Sequence, residues 1–182
     1  MSKVYIFLAD GFEEIEGLTV VDLLRRAGAD VVMVSVNGKR EVCGSHKIRV
    51  GADALFEDVD YRDADLLVLP GGMPGTKHLG AHKGLTSLLQ QADAAGTGIC
   101  AICAAPSVLG DLGLLKGRKA ACYPGFEERL TGAFVTMDSV ATDGHITTSR
   151  GMGTAIDFGL ELVRRLFGQE KADELAKSII YG

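Results

Sequence analysis

Four runs of apolar residues recur along the chain, each about the length of one buried strand. They lie at residues 4–9, 31–36, 65–70 and 98–102. Unbroken apolar runs of this length are typical of strands that are covered on both faces. We therefore predict four parallel strands in the interior of a sheet.

The segments between and after these runs carry helical spacing or shorter strand patterns. The pattern predicts helices over residues 13–27, 85–95, 104–112, 154–167 and 170–177, a hairpin over 43–50, and short strands near 119–122, 135 and 139–149. Strands that alternate with helices indicate an α/β fold: a mostly parallel sheet with helices on both faces. Ligands bind beyond the carboxyl ends of such strands, so a site is expected among residues 10–17, 70–75 and 102–106.

Composition narrows the class of protein. The 182 residues are 47% hydrophobic, without an internal repeat or linker, so we predict a single domain over residues 1–182. The 19 basic and 24 acidic residues give a net charge of 19 − 24 = −5, and no specific nucleic-acid binding is expected. No apolar run approaches the ~20 residues that a membrane span requires. The first run is too short for a signal peptide, so a cytoplasmic protein without membrane contact is expected.

One glutamate in the first predicted helix falls on its apolar face. Phe12, Glu16, Val20, Leu23 and Ala27 follow helical spacing, whereas the acids at positions 13 and 14 point elsewhere. Burial would raise the pKa of such a carboxyl and let it donate a hydrogen bond. The apolar face alone favours the commoner arrangement, in which Glu16 lies at the edge of that face and contacts water.

Cys103 stands at the junction of the fourth strand and the following helix. A strand-to-helix turn exposes the side chain at the edge of the sheet, as it does for the serine of α/β-hydrolases. The amide groups of a helix N-terminus favour a thiolate there. A buried structural cysteine is the alternative, but the position favours a reactive one.

The other cysteines offer little chemistry. Cys100 and Cys103 form a C-x-x-C pair, but on an extended strand they lie about 10 Å apart and face opposite ways, too far for a disulfide. Cys43 and Cys122 have no partner at zinc-ligand spacing. We therefore expect four thiols and no metal site.

Several further residues are open to two interpretations. Gly71 and Gly72 follow the third strand and form either an amide cradle for an oxyanion or a tight turn. His78 and His82 are four residues apart on a predicted surface helix and are expected to be solvated. Arg150 ends a strand and either binds an anion or pairs with a carboxylate. Neither a dinucleotide fingerprint nor a phosphate-binding loop occurs, so no cofactor is predicted.

Four motifs in order carry a family resemblance. They are Asp10-Gly-Phe-Glu-Glu-Ile-Glu16, Leu69-Pro-Gly-Gly72, Ala101-Ile-Cys-Ala-Ala105 and Thr148-Ser-Arg-Gly151. Together they resemble the PfpI-like superfamily, in the branch of the deglycases associated with Parkinson's disease. The resemblance implies a flavodoxin-like sandwich and, usually, a homodimer.

The resemblance also implies roles for particular residues. It makes Cys103 the nucleophile and Glu16 its protonated hydrogen-bond partner, with Gly72 and Ala104 as backbone oxyanion donors. The family's arginine near the cysteine corresponds to Arg150. Proteases of the superfamily have a histidine in the position of Ala104, so a Cys-His triad is not expected.

Two departures concern the surroundings of the cysteine. A Tyr123-Pro124 pair replaces the His-Pro pair that is frequent in the deglycase branch, and His46 stands where some relatives have an arginine. Both departures affect substrate preference and proton transfer. Tyr123, His46, Arg150 and Gly71 are therefore expected to be substrate-binding or accessory residues.

The function implied is that of a cofactor-independent enzyme. It would convert 2-oxoaldehydes such as methylglyoxal to lactate, or act on their protein or nucleotide adducts, through a Cys103 hemithioacetal and proton transfer by Glu16. An alternative is an oxidative-stress sensor or chaperone in which Cys103 is oxidised reversibly. A binding module with a vestigial cysteine is a third possibility.

Overall fold

The computed structural model describes residues 1–182 of the chain, with a seven-stranded sheet at its centre. The strands are β1 (Lys3–Leu8), β2 (Asp30–Ser35), β3 (Glu41–Cys43), β4 (Arg49–Gly51), β5 (Ala54–Leu55), β6 (Leu66–Leu69), β7 (Gly98–Ile102), β8 (Lys119–Ala120), β9 (Phe134–Val135), β10 (Val140–Asp143) and β11 (Ile146–Ser149). The helices are α1 (Glu14–Ala27), α2 (Gly75–Ala81), α3 (Lys83–Ala95), α4 (Pro106–Asp111), α5 (Ala155–Phe167) and α6 (Gln169–Ser178).

The strand order in the sheet is β10-β11-β7-β6-β1-β2-β5. Every neighbouring pair is parallel except β10–β11, which is antiparallel. The predicted α/β fold with a mostly parallel sheet is confirmed. The predicted hairpin is confirmed as β3–β4, which pairs outside the main sheet.

Alternate residues of the central strands supply two cores, one on each face of the sheet. Along β1, Val4, Ile6 and Leu8 pack beneath α1, α5 and α6, whereas Tyr5 and Phe7 face α2, α3 and α4. Successive side chains of a strand point to opposite faces, which explains why the predicted strands read as unbroken apolar runs. None of the helices has both the length and the apolar character needed to cross a membrane.

Two predictions on the α2–α3 side are corrected. His78 and His82 do not share a helix, because α2 ends at Ala81 and His82 caps α3 by accepting a 3.0 Å hydrogen bond from the Leu85 amide. The His82 side chain is only 20% exposed, and its ring packs against Phe56 with centroids 4.5 Å apart. The solvated surface position predicted for His82 is therefore wrong.

Candidate active site

Cys103 occupies a sharp turn between the end of β7 and the start of α4. Its φ of +65° lies in the left-handed region, which non-glycine residues adopt at a cost in energy. Backbone hydrogen bonds hold the turn from both sides: its amide donates to the Ser149 carbonyl at 3.0 Å, and its carbonyl accepts from the Tyr123 amide at 2.8 Å. The half-buried side chain therefore lies at the carboxyl edge of the sheet.

Glu16 lies in the first turn of α1, and only 1% of the residue is exposed. The expectation that it contacts water is wrong. Its Oε2 accepts a 2.9 Å hydrogen bond from the Gly71 amide, because the loop after β6 covers this end of α1. Its Oε1 is buried without a hydrogen-bond partner. The carboxyl group is thus enclosed by protein.

Gly71 separates the carboxyl group from the cysteine. A Cβ at this position would lie 2.5 Å from Glu16 Oε2 and 2.6 Å from Cys103 Cβ, so no larger residue fits without movement. The bare backbone allows the two side chains to interact directly, and that interaction affects the pKa of each. The sequence predicted an amide cradle or a tight turn here, but not this close approach.

The Cys103 sulfur also interacts with two backbone amides, those of Gly72 and Ala104. Gly72 has a φ of +87°, and a Cβ would lie 2.3 Å from the Glu13 backbone nitrogen. Glycine is therefore required where this loop passes α1. These are the two amides that the resemblance gives as oxyanion donors, and that role stays a prediction.

Burial dominates the electrostatics of the pair. It raises the pKa of Glu16 from its usual 4.5 to about 7, although the Cys103 side chain and the Gly71 amide oppose the change. Burial, followed by the Glu16 charge, raises the pKa of the Cys103 thiol to about 12, outweighing the amides of Ala104 and Gly72. The predicted thiolate is therefore not favoured: burial disfavours it most, and an ionised Glu16 disfavours it further.

A shallow groove of about 280 Å³ adjoins the cysteine and is lined by residues 123–124 and 150–154. The half-exposed Tyr123 ring and the Cys103 sulfur both lie near the position that a side chain at residue 151 would occupy. A Cβ on Gly151 would lie 3.2 Å from Tyr123 Cδ2 and 3.9 Å from Cys103 Sγ. Arg150 contributes to the groove, and its Nε is buried without a hydrogen-bond partner. Tyr123 thus lies near the sulfur, and Arg150 lines the same groove as Tyr123.

His46 lies instead on the β3–β4 hairpin, where it contacts the start of α1. Its Nδ1 is 2.9 Å from Glu14 Oε2, and its amide donates to Glu14 Oε1 at 2.8 Å. Glu14, which was expected to point away from the protein interior, is buried because the hairpin folds over it. Burial opposes ionisation of Glu14, but hydrogen bonds from the His46 side chain and nearby amides lower its pKa to about 2. Sequence analysis missed this contact because no local pattern links residues 32 positions apart.

The four cysteines are free thiols. Cys100 lies fully buried on β7, and Cys103 follows that strand at the turn. These two residues are thus separate thiols, one inside the sheet and one at its edge.

The order of these segments matches a known family. The sequence profile described as DJ-1/PfpI family matches residues 2–165, a range that contains the cysteine turn, the buried glutamate and both glycine loops. The chain belongs to the DJ-1/PfpI family. The resemblance inferred from the four sequence motifs is thereby confirmed.

Relatives within the DJ-1/PfpI family agree with this assignment. Protein DJ-1 homolog A of Arabidopsis thaliana is 42% identical over 180 residues, which cover 97% of this chain but 46% of that protein. The chain thus spans less than half the length of this plant relative. Glutathione-independent glyoxalase DJR-1.2 of Caenorhabditis elegans is 32% identical over 179 residues, covering 98% of this chain and 95% of that protein.

A solved structure of a DJ-1 protein confirms the fold. The structure described as Toxoplasma gondii DJ-1, oxidized, superposes with a TM-score of 0.96 at 38% identity and covers all of both chains. The flavodoxin-like architecture implied by the sequence resemblance is therefore that of this chain.

Proposed function

We propose that this DJ-1/PfpI protein is a cofactor-independent glyoxalase or deglycase that acts on 2-oxoaldehydes or their protein or nucleotide adducts. The observation that carries the proposal is the enclosed carboxyl of Glu16 beside Cys103, with two backbone amides at the same sulfur. The name of the C. elegans relative supports the same chemistry. A small reactive aldehyde such as methylglyoxal is the substrate class.

The first step is addition of the thiol to the aldehyde carbon. The Glu16 carboxylate accepts the thiol proton as sulfur bonds to carbon, while the amides of Gly72 and Ala104 stabilise the negative charge that forms on the aldehyde oxygen. Glu16 returns the proton to that oxygen, which completes the hemithioacetal. A carboxyl with a pKa of about 7 suits both transfers, because it can accept and donate a proton near neutral pH.

The second step moves a proton between the two carbons of the adduct. Glu16 removes the hydrogen from the sulfur-bearing carbon and gives it to the neighbouring carbonyl carbon, whose oxygen also takes up the hydroxyl proton. The former aldehyde carbon is thereby oxidised to a thioester and the ketone is reduced to an alcohol. Water then hydrolyses the thioester, releasing lactate and the Cys103 thiol. The reaction needs no external oxidant, metal or nucleotide.

Tyr123 and Arg150 have accessory roles in this proposal. The Arg150 guanidinium supplies hydrogen-bond donors at the groove and orients the distal oxygen of a bound adduct. The Tyr123 ring forms the side of the groove nearest Cys103 and limits the size of the substrate. His46 holds the hairpin against α1, and Gly71 keeps Glu16 and Cys103 in contact.

The test is glutathione-free consumption of methylglyoxal with detection of lactate. Cys103→Ser and Glu16→Gln should each lower turnover at least about 100-fold, because each removes a group that forms or transfers a bond in every cycle. Cys43→Ser and the exposed Glu170→Gln are the matched controls and should retain turnover. Absence of lactate from the wild type, or unchanged turnover in both active-site variants, would refute the enzyme assignment.

A redox sensor or chaperone is the alternative that the same site supports. A half-buried thiol beside a carboxyl and two amides can hold a sulfenic or sulfinic acid by hydrogen bonds. Titration with peroxide, followed by intact mass and peptide mapping, distinguishes the two functions. Selective oxidation of Cys103 without methylglyoxal turnover would favour the sensor, whereas unselective oxidation of the four thiols would exclude it.

We propose that the chain forms a homodimer and functions in the cytoplasm as one domain over residues 1–182. Sedimentation equilibrium at several protein concentrations measures the oligomeric state directly. A mass that corresponds to one chain at micromolar concentration would overturn the dimer.

A further inference from the structure

Arg150 differs from the other arginines in that its guanidinium group has no partner in the protein. Its Nε is buried without a hydrogen-bond partner, and the residue takes part in no ion pair. Every other arginine of the chain donates at least one hydrogen bond to a carboxylate, a carbonyl or a hydroxyl group. A buried donor without a partner costs free energy, and a charged one costs more. Arg150 therefore lacks a counter-charge that a ligand could supply.

The backbone on both sides of Arg150 approaches Cys103. The Ser149 carbonyl accepts from the Cys103 amide at 3.0 Å, and a Cβ on Gly151 would lie 3.9 Å from the sulfur. The Arg150 side chain lines the groove of about 280 Å³ together with Tyr123. A molecule bound to Cys103 can therefore extend along the groove to Arg150.

Glu127 is an acidic side chain in the same region, but it does not neutralise Arg150. Burial and then the Glu127 charge raise the pKa of the Cys122 thiol to about 11, and the Arg150 charge opposes them, so both charges act on one sulfur. Glu127 Oε2 accepts a 2.6 Å hydrogen bond from the Gly125 amide and forms no ion pair with Arg150. The guanidinium thus keeps its positive charge available at the groove.

Charge balance favours a carboxylate as the occupant of the groove. Arg150 is the only charged residue that lines it, so a single negative charge completes the pair. A guanidinium group binds a carboxylate through two parallel hydrogen bonds. A phosphate dianion would leave one charge unbalanced in the same groove. A monoanionic carboxylate is therefore the better match.

We propose that Arg150 selects substrates with a carboxylate, namely 2-oxoaldehydes that carry an acidic side chain. This inference rests on the proposed glyoxalase chemistry and names its substrate class. The aldehyde carbon bonds to the Cys103 sulfur while the carboxylate pairs with Arg150. For γ,δ-dioxovalerate, thiol addition, proton transfer by Glu16 and hydrolysis by one water give α-hydroxyglutarate. The aldehyde carbon is oxidised, the ketone carbon is reduced, and the new carboxyl group releases one proton.

The first test compares γ,δ-dioxovalerate with its neutral amide, γ,δ-dioxovaleramide, which has nearly the same shape. The wild type should convert the acid with a kcat/KM at least about tenfold higher, because the amide cannot form the ion pair. Arg150→Gln should bring the two values to within about threefold of each other. Arg62→Gln is the matched control and should keep the preference, since its guanidinium already pairs with Asp60.

Two outcomes of this comparison would overturn the proposal. One is the same acid-to-amide ratio in wild type and Arg150→Gln. The other is a higher kcat/KM for phosphohydroxypyruvaldehyde than for the acid, which would assign the groove to phosphate. Arg150→Gln removes an unpaired charge, so it should fold, and circular dichroism checks this.

A binding measurement separates this proposal from the proposed function. Levulinate has the carboxylate of γ,δ-dioxovalerate but no aldehyde, so it can occupy the groove without entering the reaction. It should slow alkylation of Cys103 by iodoacetamide in the wild type, whereas neutral levulinamide should not. Arg150→Gln should lose the protection, and Arg150→Lys, which retains the charge, should keep part of it.

The two measurements together show which proposal fails. Levulinate protection without turnover of any aldehyde would refute the glyoxalase and retain the carboxylate site. Turnover of methylglyoxal without levulinate protection would overturn the carboxylate site alone. The same result is expected if a carboxylate of a second chain already pairs with Arg150.

Discussion

At the scale of single residues, the candidate site depends on a carboxyl group that the protein keeps out of water. The buried Glu16 has one oxygen bonded to the Gly71 amide and the other without a partner. Burial of an ionisable group costs stability when the group carries charge. The residue that makes the proposed chemistry possible is therefore expected to weaken the fold at high pH.

Glu16→Gln should stabilise the protein above neutral pH. The pKa of Glu16 is about 7 in the folded state against a usual value of 4.5, so the folded state binds the proton more tightly. Stability is therefore lost as pH rises between these two values, by at most about 3 kcal/mol, and glutamine does not titrate. Thermal unfolding should show the advantage of Glu16→Gln growing from pH 5 to pH 8. A pH-independent difference, or the same trend in exposed Glu170→Gln, would contradict this explanation.

Gly71→Ala should impair both the site and the fold. The added methyl group would overlap Glu16 Oε2 and Cys103 Cβ, and overpacking of this kind typically costs about 1–3 kcal/mol. Urea unfolding measures the loss of stability, and methylglyoxal turnover should fall along with it. Gly51→Ala is the control, because a Cβ there meets nothing within 4 Å. Equal stability of Gly71→Ala and wild type would mean that the loop moves freely.

Tyr123→Ala should open the approach to Cys103. The ring lies beside the sulfur across Gly151, so its removal should increase the rate of alkylation by a bulky maleimide more than by iodoacetamide. Tyr123→Phe retains the ring and should react like the wild type. The ratio of the two alkylation rates, measured by intact mass, is the readout. An equal increase with both reagents would indicate a change in thiol reactivity instead of access.

At the scale of elements, the hairpin and the first helix form one unit. The β3–β4 hairpin covers the start of α1, and the contact between His46 and Glu14 joins them. Sequence patterns predicted both elements with nearly correct bounds, because each is specified locally. They could not predict that one covers the other, since that packing depends on residues 32 positions apart. The burial of Glu14 was missed for this reason.

His46→Ala should lower stability in a pH-dependent way. Glu14 raises the pKa of His46 through their hydrogen bond, so the contribution of the contact is present at low pH and is lost as pH rises through the folded-state pKa of His46. The difference in melting temperature between wild type and His46→Ala should therefore be largest near pH 5 and shrink towards pH 9. It should remain small throughout, because the ring is largely exposed. A difference that grows with pH would contradict the assigned direction.

At the scale of the whole molecule, one sheet supports two cores that cannot form independently. The residues of β1 alternate between the core under α1, α5 and α6 and the core under α2, α3 and α4.

The parallel sheet could be predicted from the sequence because its strands are apolar on both faces. The edge strand β5 could not, because two residues carry no periodicity. The site was predictable as far as its strand-end positions, but not in its protonation, which depends on burial by distant loops.

Large-to-small substitutions in either core should reduce stability, and the protein should still unfold in a single transition. Phe158→Ala in one core and Leu89→Ala in the other each remove a fully buried side chain, at a cost of about 2–5 kcal/mol. Because the two cores share the sheet, far-ultraviolet circular dichroism and tyrosine fluorescence should report the same midpoint in each variant. Separate midpoints for the two probes would overturn the single-domain proposal.

The convergence of the Gly72 and Ala104 amides on the Cys103 sulfur has a consequence for how this protein should be dissected. Both of these groups belong to the main chain, so a conventional alanine scan would pass over them: one position is already alanine and the other has no side chain to remove. Such a scan would assign the reactivity of the sulfur to side chains alone. Replacing the amide that precedes residue 104 with an ester deletes that single N–H and would measure what side-chain mutagenesis leaves hidden.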